Sequence, residues 1–159
     1  MRVPAVLTPS PLPAPTLIQL TPEHAGACLE LDRAALGGIW SLAQWQRELE
    51  EQARPCLGLC QGLDLLAMAC GWLVVDELHI TLVAVAREHR RRGLGRRILE
   101  ELMQTGFRRG ATRATLEVAA RNGPGKGLYE ALGFRTAGIR HGYYRNGEDA
   151  LIQWVNLNR

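Results

Sequence analysis

At 159 residues, with 47% hydrophobic and 22% charged residues, the chain has the size and composition of one globular domain that buries a substantial core. No apolar run approaches the roughly 20 residues that a membrane span requires. The net charge of +3 is mild, so charge has to be read locally.

Pro4, Pro9, Pro11, Pro13 and Pro15 make residues 1–15 read as a disordered, proline-rich tail. Proline this dense blocks helix and strand pairing, and no continuous apolar stretch makes the tail a secretory signal. The folded domain is expected over 16–159. Leu17 to Leu20 reads as a first strand. Thr21-Pro22-Glu23 then starts a helix, with Thr as N-cap, Pro at the first helical position and an acid in the first turn. Ala25, Cys28, Leu29, Asp32 and Leu36 follow at mostly helical spacing until Gly37-Gly38 stops them. Ser41-Leu42-Ala43-Gln44 is a capping box, and Trp40 and Trp45 are placed as its hydrophobic staple. That predicts a second helix to about Gln52.

Strands are expected at Pro55 to Cys60 and Leu65 to Val75, joined near Gly62, and at Glu77 to Val85. Cys28, Cys56, Cys60 and Cys70 sit among apolar neighbours without metal-ligand spacing. They predict buried, reduced thiols in a cytoplasmic protein, and no metal site is expected.

Arg91-Arg92-Gly93-Leu94-Gly95-Arg96 comes next, between an apolar strand and a helical stripe of Leu94, Ile98, Leu99, Leu102 and Met103. A basic, glycine-containing turn at that junction is a phosphate cradle. Glycines let the backbone approach the ligand, and the free N–H groups of the first helical turn point at the anion. Neighbouring arginines crowd the segment. Nearly all basic residues of the chain are arginine, Lys126 being the only lysine, which reads as codon bias.

Gly106 or Gly110 ends this helix. Arg113 to Val118 alternates as a strand, Ala114, Leu116 and Val118 on one face and Thr115 and Glu117 on the other. Asn122 caps a short helix carrying Leu128, Tyr129 and Leu132, closed by Gly133. Strands at Phe134 to Arg140 and Ala150 to Asn156 finish the chain.

The common nucleotide motifs fail. The residue five before Gly125 is Ala120, and Gly127 follows Lys126, so there is no P-loop. Gly93-Leu94-Gly95 continues into Arg96-Arg97-Ile98, without the third glycine of a dinucleotide fingerprint.

Taken with Leu116-Glu117-Val118, Asn122 and Leu128-Tyr129-Glu130-Ala131-Leu132-Gly133-Phe134, the arginine turn resembles the acetyl-CoA loop of the GNAT superfamily of N-acetyltransferases. The resemblance runs from about Leu17 to Leu157. Ile39-Trp40-Ser41, Gly142-Tyr143-Tyr144 and Glu148-Asp149-Ala150 narrow it to the bacterial ribosomal-protein-alanine N-acetyltransferases. Two positions depart from that pattern: Arg121 stands where Ser is usual, and Gly125 where Ala is usual.

The resemblance implies a mixed α/β fold, a mostly antiparallel sheet of six to seven strands flanked by about four helices. It implies acetyl-CoA as co-substrate, held by the backbone of Val83, Ala84 and Val85, by Arg91, Arg92, Gly93, Leu94, Gly95 and Arg96, and by Asn122. Glu117 would be the general base and Tyr129 the general acid, the two residues carrying catalysis. Ile39, Trp40, Tyr143 and Tyr144 would line the acceptor site, with Glu148 and Asp149 attracting a basic peptide. His79 and His141 are read as structural rather than as bases. The acceptor implied is the N-terminal alanine α-amine of a small-subunit ribosomal protein, with no membrane or direct nucleic-acid role. A small amine, an antibiotic or a lysine side chain is the alternative acceptor. A nucleic-acid-binding module built on the arginines is disfavoured, because no aromatic residues interleave with them.

Overall fold

Hydrophobic alternation and helical stripes sort the chain into seven strands and four α-helices in a computed structural model that describes residues 14–157. The expected tail lies outside the described residues apart from Ala14 and Pro15. The strands are β1 (Thr16–Gln19), β2 (Cys56–Gln61), β3 (Asp64–Val74), β4 (Glu77–Val85), β5 (Arg113–Ala119), β6 (Arg135–Arg140) and β7 (Ala150–Asn156). The helices are α1 (Ala25–Leu36), α2 (Leu42–Glu50), α3 (Leu94–Arg108) and α4 (Gly123–Ala131).

The strands form one sheet in the order β1-β2-β3-β4-β5-β7-β6. Every neighbouring pair is antiparallel except β4 and β5. That parallel pair is joined only from Glu77↔Arg113 to His79↔Thr115. Beyond it β4 runs on to Val85 beside β3, β5 runs on to Ala119 beside β7, and the two part.

Local signals set most element ends. Ser41 N donates to Gln44 Oε1 (2.8 Å) and Gln44 N donates to Ser41 Oγ (3.2 Å), completing the capping box. Trp40 and Trp45 meet edge to face at 4.7 Å, as a staple should. The helix expected from Pro22 opens instead with a 3₁₀ turn, Pro22–His24, because Thr21 N donates to His24 Nδ1 (2.9 Å). Of the two candidate stops for α3, Gly110 is the terminator, with φ +100°. Gly106 lies inside the helix for a packing reason: a Cβ there would come within 2.8 Å of Leu78 Cδ2, and one on Gly71 within 2.7 Å of Leu78 Cδ1. Leu78 fills a slot between the two glycines.

Two cores result, one on each face of the sheet. Leu94, Ile98, Leu99 and Leu102 of α3 pack on Leu78, Ile80, Leu116 and Val118. Trp45 and Leu49 of α2, with Cys28 and Leu31 of α1, pack on Met68, Cys70, Leu82 and Ala84. β4 changes allegiance midway. Cys70 pairs with Leu82 and Gly71 with Ile80, so Thr81 is a bulge residue, its Oγ1 donating to Cys70 O (3.1 Å). The bulge turns Leu82 and Ala84 to the face opposite Leu78 and Ile80.

Candidate active site

The parting of β4 and β5 gives the cleft its backbone. Ala86 N donates to Leu66 O (2.8 Å). Along a regular strand Leu82, Ala84 and Ala86 therefore bond toward β3, and the polar groups of Val83 and Val85 point the other way, into the gap. Of the three residues expected to hold the cofactor through their backbone, Val83 and Val85 offer groups to the cleft. Those of Ala84 are turned to β3. Arg90 Nε reaches Val85 O at 3.4 Å at the end of this edge.

The arginine turn follows. Arg91 and Gly93 both take left-handed backbone, φ +64° and +77°. That is costly for arginine and free for glycine. The first internal bond of α3 is Arg97 N to Gly93 O (3.0 Å), and Gly93 has no side chain to cap with. The N–H groups of Leu94, Gly95 and Arg96 consequently have no partner inside the helix, and the helix dipole is positive there. The side chains divide. Arg96 Nε donates to Glu100 Oε1 (2.8 Å), Arg97 Nη1 to Pro15 O (2.8 Å) and Arg92 Nη1 to His89 Nδ1 (3.2 Å). Arg87 and Arg91 are exposed and have no ion pair among the described residues. Leu94 contributes only backbone, its side chain being buried under α3.

Glu117 projects from β5 opposite Leu116 and Val118, on the α1–α2 face of the sheet, as the alternation predicts. Its side chain is 13% exposed. Oε2 lies 3.0 Å from His79 Nε2, and Oε1 lies 3.7 Å from Arg140 Nε. His79 is the site residue that the sequence reading set aside. Its position follows from the last β4–β5 pair, His79↔Thr115: two residues on, along the same face, comes Glu117.

Tyr129 approaches from the other face. Gly133 takes φ +94°, so Gly133 N donates to Glu130 O and Phe134 N to Tyr129 O, both at 3.0 Å. This is a Schellman close, and its usual apolar contact is made by the Tyr129 and Phe134 rings, centroids 5.9 Å apart. Burial pushes the Tyr129 hydroxyl up to about 12, with a smaller push from Tyr144. Burial also raises Tyr144, helped by Tyr143 and then by Glu117 and Glu148. Tyr144 thus interacts electrostatically with both the phenol and the carboxylate. Asn122 Oδ1 accepts from Gly125 N (3.0 Å), so the asparagine is an N-cap of α4.

The expected acceptor residues fall on two walls. Ile39 and Trp40 ride on the connection between α1 and α2, over the β3–β4 side. Tyr143 and Tyr144 belong to the β6–β7 connection on the β5 side, with rings 5.1 Å apart and edge to face. The Asp149 carboxylate closes that connection, and the Glu148 carboxylate ties it to the turn between β5 and α4. Glu148 Oε1 accepts from Arg121 N (3.0 Å) and Asp149 Oδ1 from Gly142 N (2.9 Å). The Gly142 N–H, with help from His141, holds the Asp149 carboxyl below its usual range. Together with Arg121 and Asn146 they edge an open cavity of about 460 Å³ at the end of β5.

Asp32 is a residue whose role sequence spacing hid. It is fully buried, and its carboxylate accepts from Ile39 N (2.8 Å), Trp40 N (3.0 Å) and Trp45 Nε1 (3.0 Å). A polar residue at an otherwise apolar helix position was the only local sign of it.

A carboxylate on one face, a buried phenol on the other, an open strand edge and a basic helix N-terminus at the end of that edge are groups that acyl transfer can use. Residues 25–134 match the Acetyltransferase (GNAT) family, and the chain belongs to it. Over 142 residues it is 33% identical to the N-alpha-acetyltransferase RimI of Mycobacterium tuberculosis, covering 85% of this chain and 88% of that one. Over 103 residues it is 40% identical to the ribosomal protein bS18-alanine N-acetyltransferase of Escherichia coli strain K12, covering 63% and 70%. The crystal structure of the Escherichia coli ribosomal-protein-S18-alanine N-acetyltransferase superposes with a TM-score of 0.84 at 31% identity, over 91% of this chain and 95% of that one. The seven-stranded, mostly antiparallel sheet with four helices is the fold that the family resemblance implied.

Proposed function

We propose that this chain transfers acetyl from acetyl-CoA to the N-terminal α-amine, alanine, of a small-subunit ribosomal protein, with Glu117 as base and Tyr129 as acid. The observation that carries the reading is the parting of β4 and β5 beyond His79↔Thr115, with Glu117 on the α1–α2 face of the sheet beside that opening and Tyr129 packed on the α3 face. The names borne by the bacterial relatives support the acceptor.

The residues present fit acetyl-CoA. Val83 offers an unpaired strand edge for the pantetheine arm, as in strand addition by a peptide. The first-turn N–H groups of α3 and the exposed Arg87 and Arg91 suit its phosphates. Bound there, acetyl-CoA supplies the thioester carbonyl that the amine attacks. An N–H of the β4 edge stabilises the negative charge that develops on the carbonyl oxygen.

Glu117 takes the proton from the amine. A terminal amine titrates near 8 against about 10.4 for lysine, so its deprotonation is easier by about 3 kcal/mol. A carboxylate acting through water is then sufficient for an α-amine acceptor. Tyr129, held up near 12 by burial, keeps its proton at any working pH. Full transfer to a thiolate that titrates near 8.5 would run uphill by about 5 kcal/mol. The phenol therefore acts by donating a hydrogen bond to the departing sulfur, and the released thiolate takes its proton from water.

Incubation with acetyl-CoA and three acceptors, read by mass spectrometry, tests the proposal. The acceptors are a peptide beginning Ala-Arg, the same peptide N-terminally blocked with an added lysine, and a polyamine. Acetylation of the free α-amine alone is expected. Acetylation of the lysine or polyamine in its place would overturn the acceptor.

A further inference from the structure

We infer that His79 is a positioning residue of the transfer reaction, fixing the Glu117 carboxylate so that one oxygen is held and the other is left to take the proton. The inference rests on the reading of Glu117 as the base. His79 Nε2 is 3.0 Å from Glu117 Oε2. A carboxylate only accepts, so the ring nitrogen facing it carries the hydrogen. The other oxygen, Oε1, is ion-paired with Arg140 Nε at 3.7 Å, beyond hydrogen-bond range. No hydrogen bond among the described residues occupies its lone pairs.

The surroundings direct the imidazole to Glu117. The Glu77 carboxylate, two residues back on the same strand face, is engaged by Thr115 Oγ1 (2.9 Å) and Arg113 Nη2 (3.3 Å). Trp72, paired with His79 across β3, is stacked under Arg54 at 4.5 Å, and Arg54 is itself paired with Glu48 at 3.2 Å. Tyr144, whose hydroxyl is raised by burial and then by Tyr143 and Glu117, is a neutral phenol. Glu117 is thus the acceptor left to His79 among the described residues. The pair also stands at the last rung that joins β4 to β5, the point from which the cleft opens. Without His79, a glutamate on a strand edge has three side-chain torsions to fix and no donor within hydrogen-bond range to fix them.

The test measures kcat and both KM values for the full chain and for His79→Ala, His79→Gln, Glu117→Gln and the double variant His79→Ala/Glu117→Gln, with a thermal melt of each. Residues that act as a unit lose their effects non-additively. His79→Ala is expected to lower kcat about tenfold or more with the acetyl-CoA KM within about twofold, because one oriented base is worth up to 10²–10⁴ in rate. His79→Gln, which restores a donor, should recover most of that loss. The double variant should be no slower than Glu117→Gln by more than about twofold. Losses that multiply in the double variant, or a His79→Gln that folds but stays as slow as His79→Ala, would overturn the positioning role. So would a His79→Ala that only lowers the melting temperature. A Glu117→Gln with undiminished kcat would overturn the base assignment itself, and with it this inference.

Discussion

Asp32→Asn is the substitution whose consequences the geometry defines best. The carboxylate accepts three N–H groups at 2.8 to 3.0 Å in a fully buried position. An asparagine oxygen in the place of Oδ2 keeps the bonds from Trp40 N and Trp45 Nε1 but loses their charge assistance, about 1 kcal/mol each. Its amide nitrogen then replaces Oδ1 and turns donors toward Ile39 N–H, leaving a buried donor unmatched at about 1–3 kcal/mol. Relief of a buried charge returns part of this. The net loss is about 3 kcal/mol, a drop in melting temperature of about 6–12 °C for a domain of this size. Calorimetry of the wild type and Asp32→Asn measures it. Because the same oxygens hold Ile39 and Trp40, the peptide KM should rise several-fold while the acetyl-CoA KM holds, since β4 and the arginine turn make no bond to Asp32. A melting temperature within 2 °C of wild type would refute the reasoning, showing that the three N–H groups find other partners at little cost.

Three further outcomes are expected. Val75 is 95% exposed at φ +56°, a left-handed conformation that costs a β-branched residue about 1–2 kcal/mol. Val75→Asn should therefore raise the melting temperature by about 2–4 °C, and an unchanged melt would mean the turn is unstrained. Burial lifts the Cys28 thiol from its ordinary 9.0 to about 12, and both Cys28 and Tyr129 are neutral when protonated. Their contribution is fully present below pH 9 and is lost as pH climbs toward 12, about 2 kcal/mol from Cys28 by pH 10.5. Urea melts at pH 8 and pH 10.5 should show a loss about 2 kcal/mol smaller in Cys28→Ala than in the wild type, and an equal loss in both would refute it. At Gly125 an added Cβ would lie 2.6 Å from Asn122 Nδ2 and displace that amide from its cap. The lost cap, about 1 kcal/mol, offsets the gain from replacing a helical glycine, so Gly125→Ala should melt within about 2 °C of wild type. A fall of more than 5 °C would mean that the cap holds α4 in place.

Features written within a few residues of one another were readable in advance. The Ser41–Gln44 box, the Trp40–Trp45 staple, the Asn122 cap and the Gly133 close all connect positions no more than five apart, and side-chain chemistry alone dictates them. The side of β5 that carries Glu117 followed from alternation. What stayed hidden depends on register between distant segments. His79 meets Glu117 only because β4 and β5 pair in parallel 36 positions apart in the chain, as at Glu77↔Arg113, with side chains such as Thr115 Oγ1 and Glu77 meeting across 38. The bulge at Thr81, which decides the faces of Leu82 to Val85, has no local signature either. Asp32 interrupts an apolar helix stripe, but nothing in that stripe says which N–H groups it will receive. Gly106 and Gly110 were indistinguishable as letters. One answers to left-handed backbone and the other to Leu78, a residue from another strand.

The parted strands leave backbone groups that a ligand lying along β4 would satisfy. A sheet interior normally leaves no N–H or C=O unpaired, yet β4 beyond His79 presents the groups of Val83 to the gap with no strand opposite. If acetyl-CoA takes that edge, its binding must register at Val83 and not at Ala84, which is already turned to Met68 on β3. Backbone amide exchange followed residue by residue separates the two. Val83 N–H should exchange quickly in the free protein and slow by about 100-fold at acetyl-CoA concentrations near 100 times Kd, equivalent to the roughly 2.7 kcal/mol of linkage at that saturation. Ala84 N–H should be protected in both states, and the melting temperature should rise by about 5–10 °C. Slowing at Ala84 with none at Val83 would place the alternation of β4 one residue out of step, and the cleft would then have to be built from Leu82 and Ala84 instead.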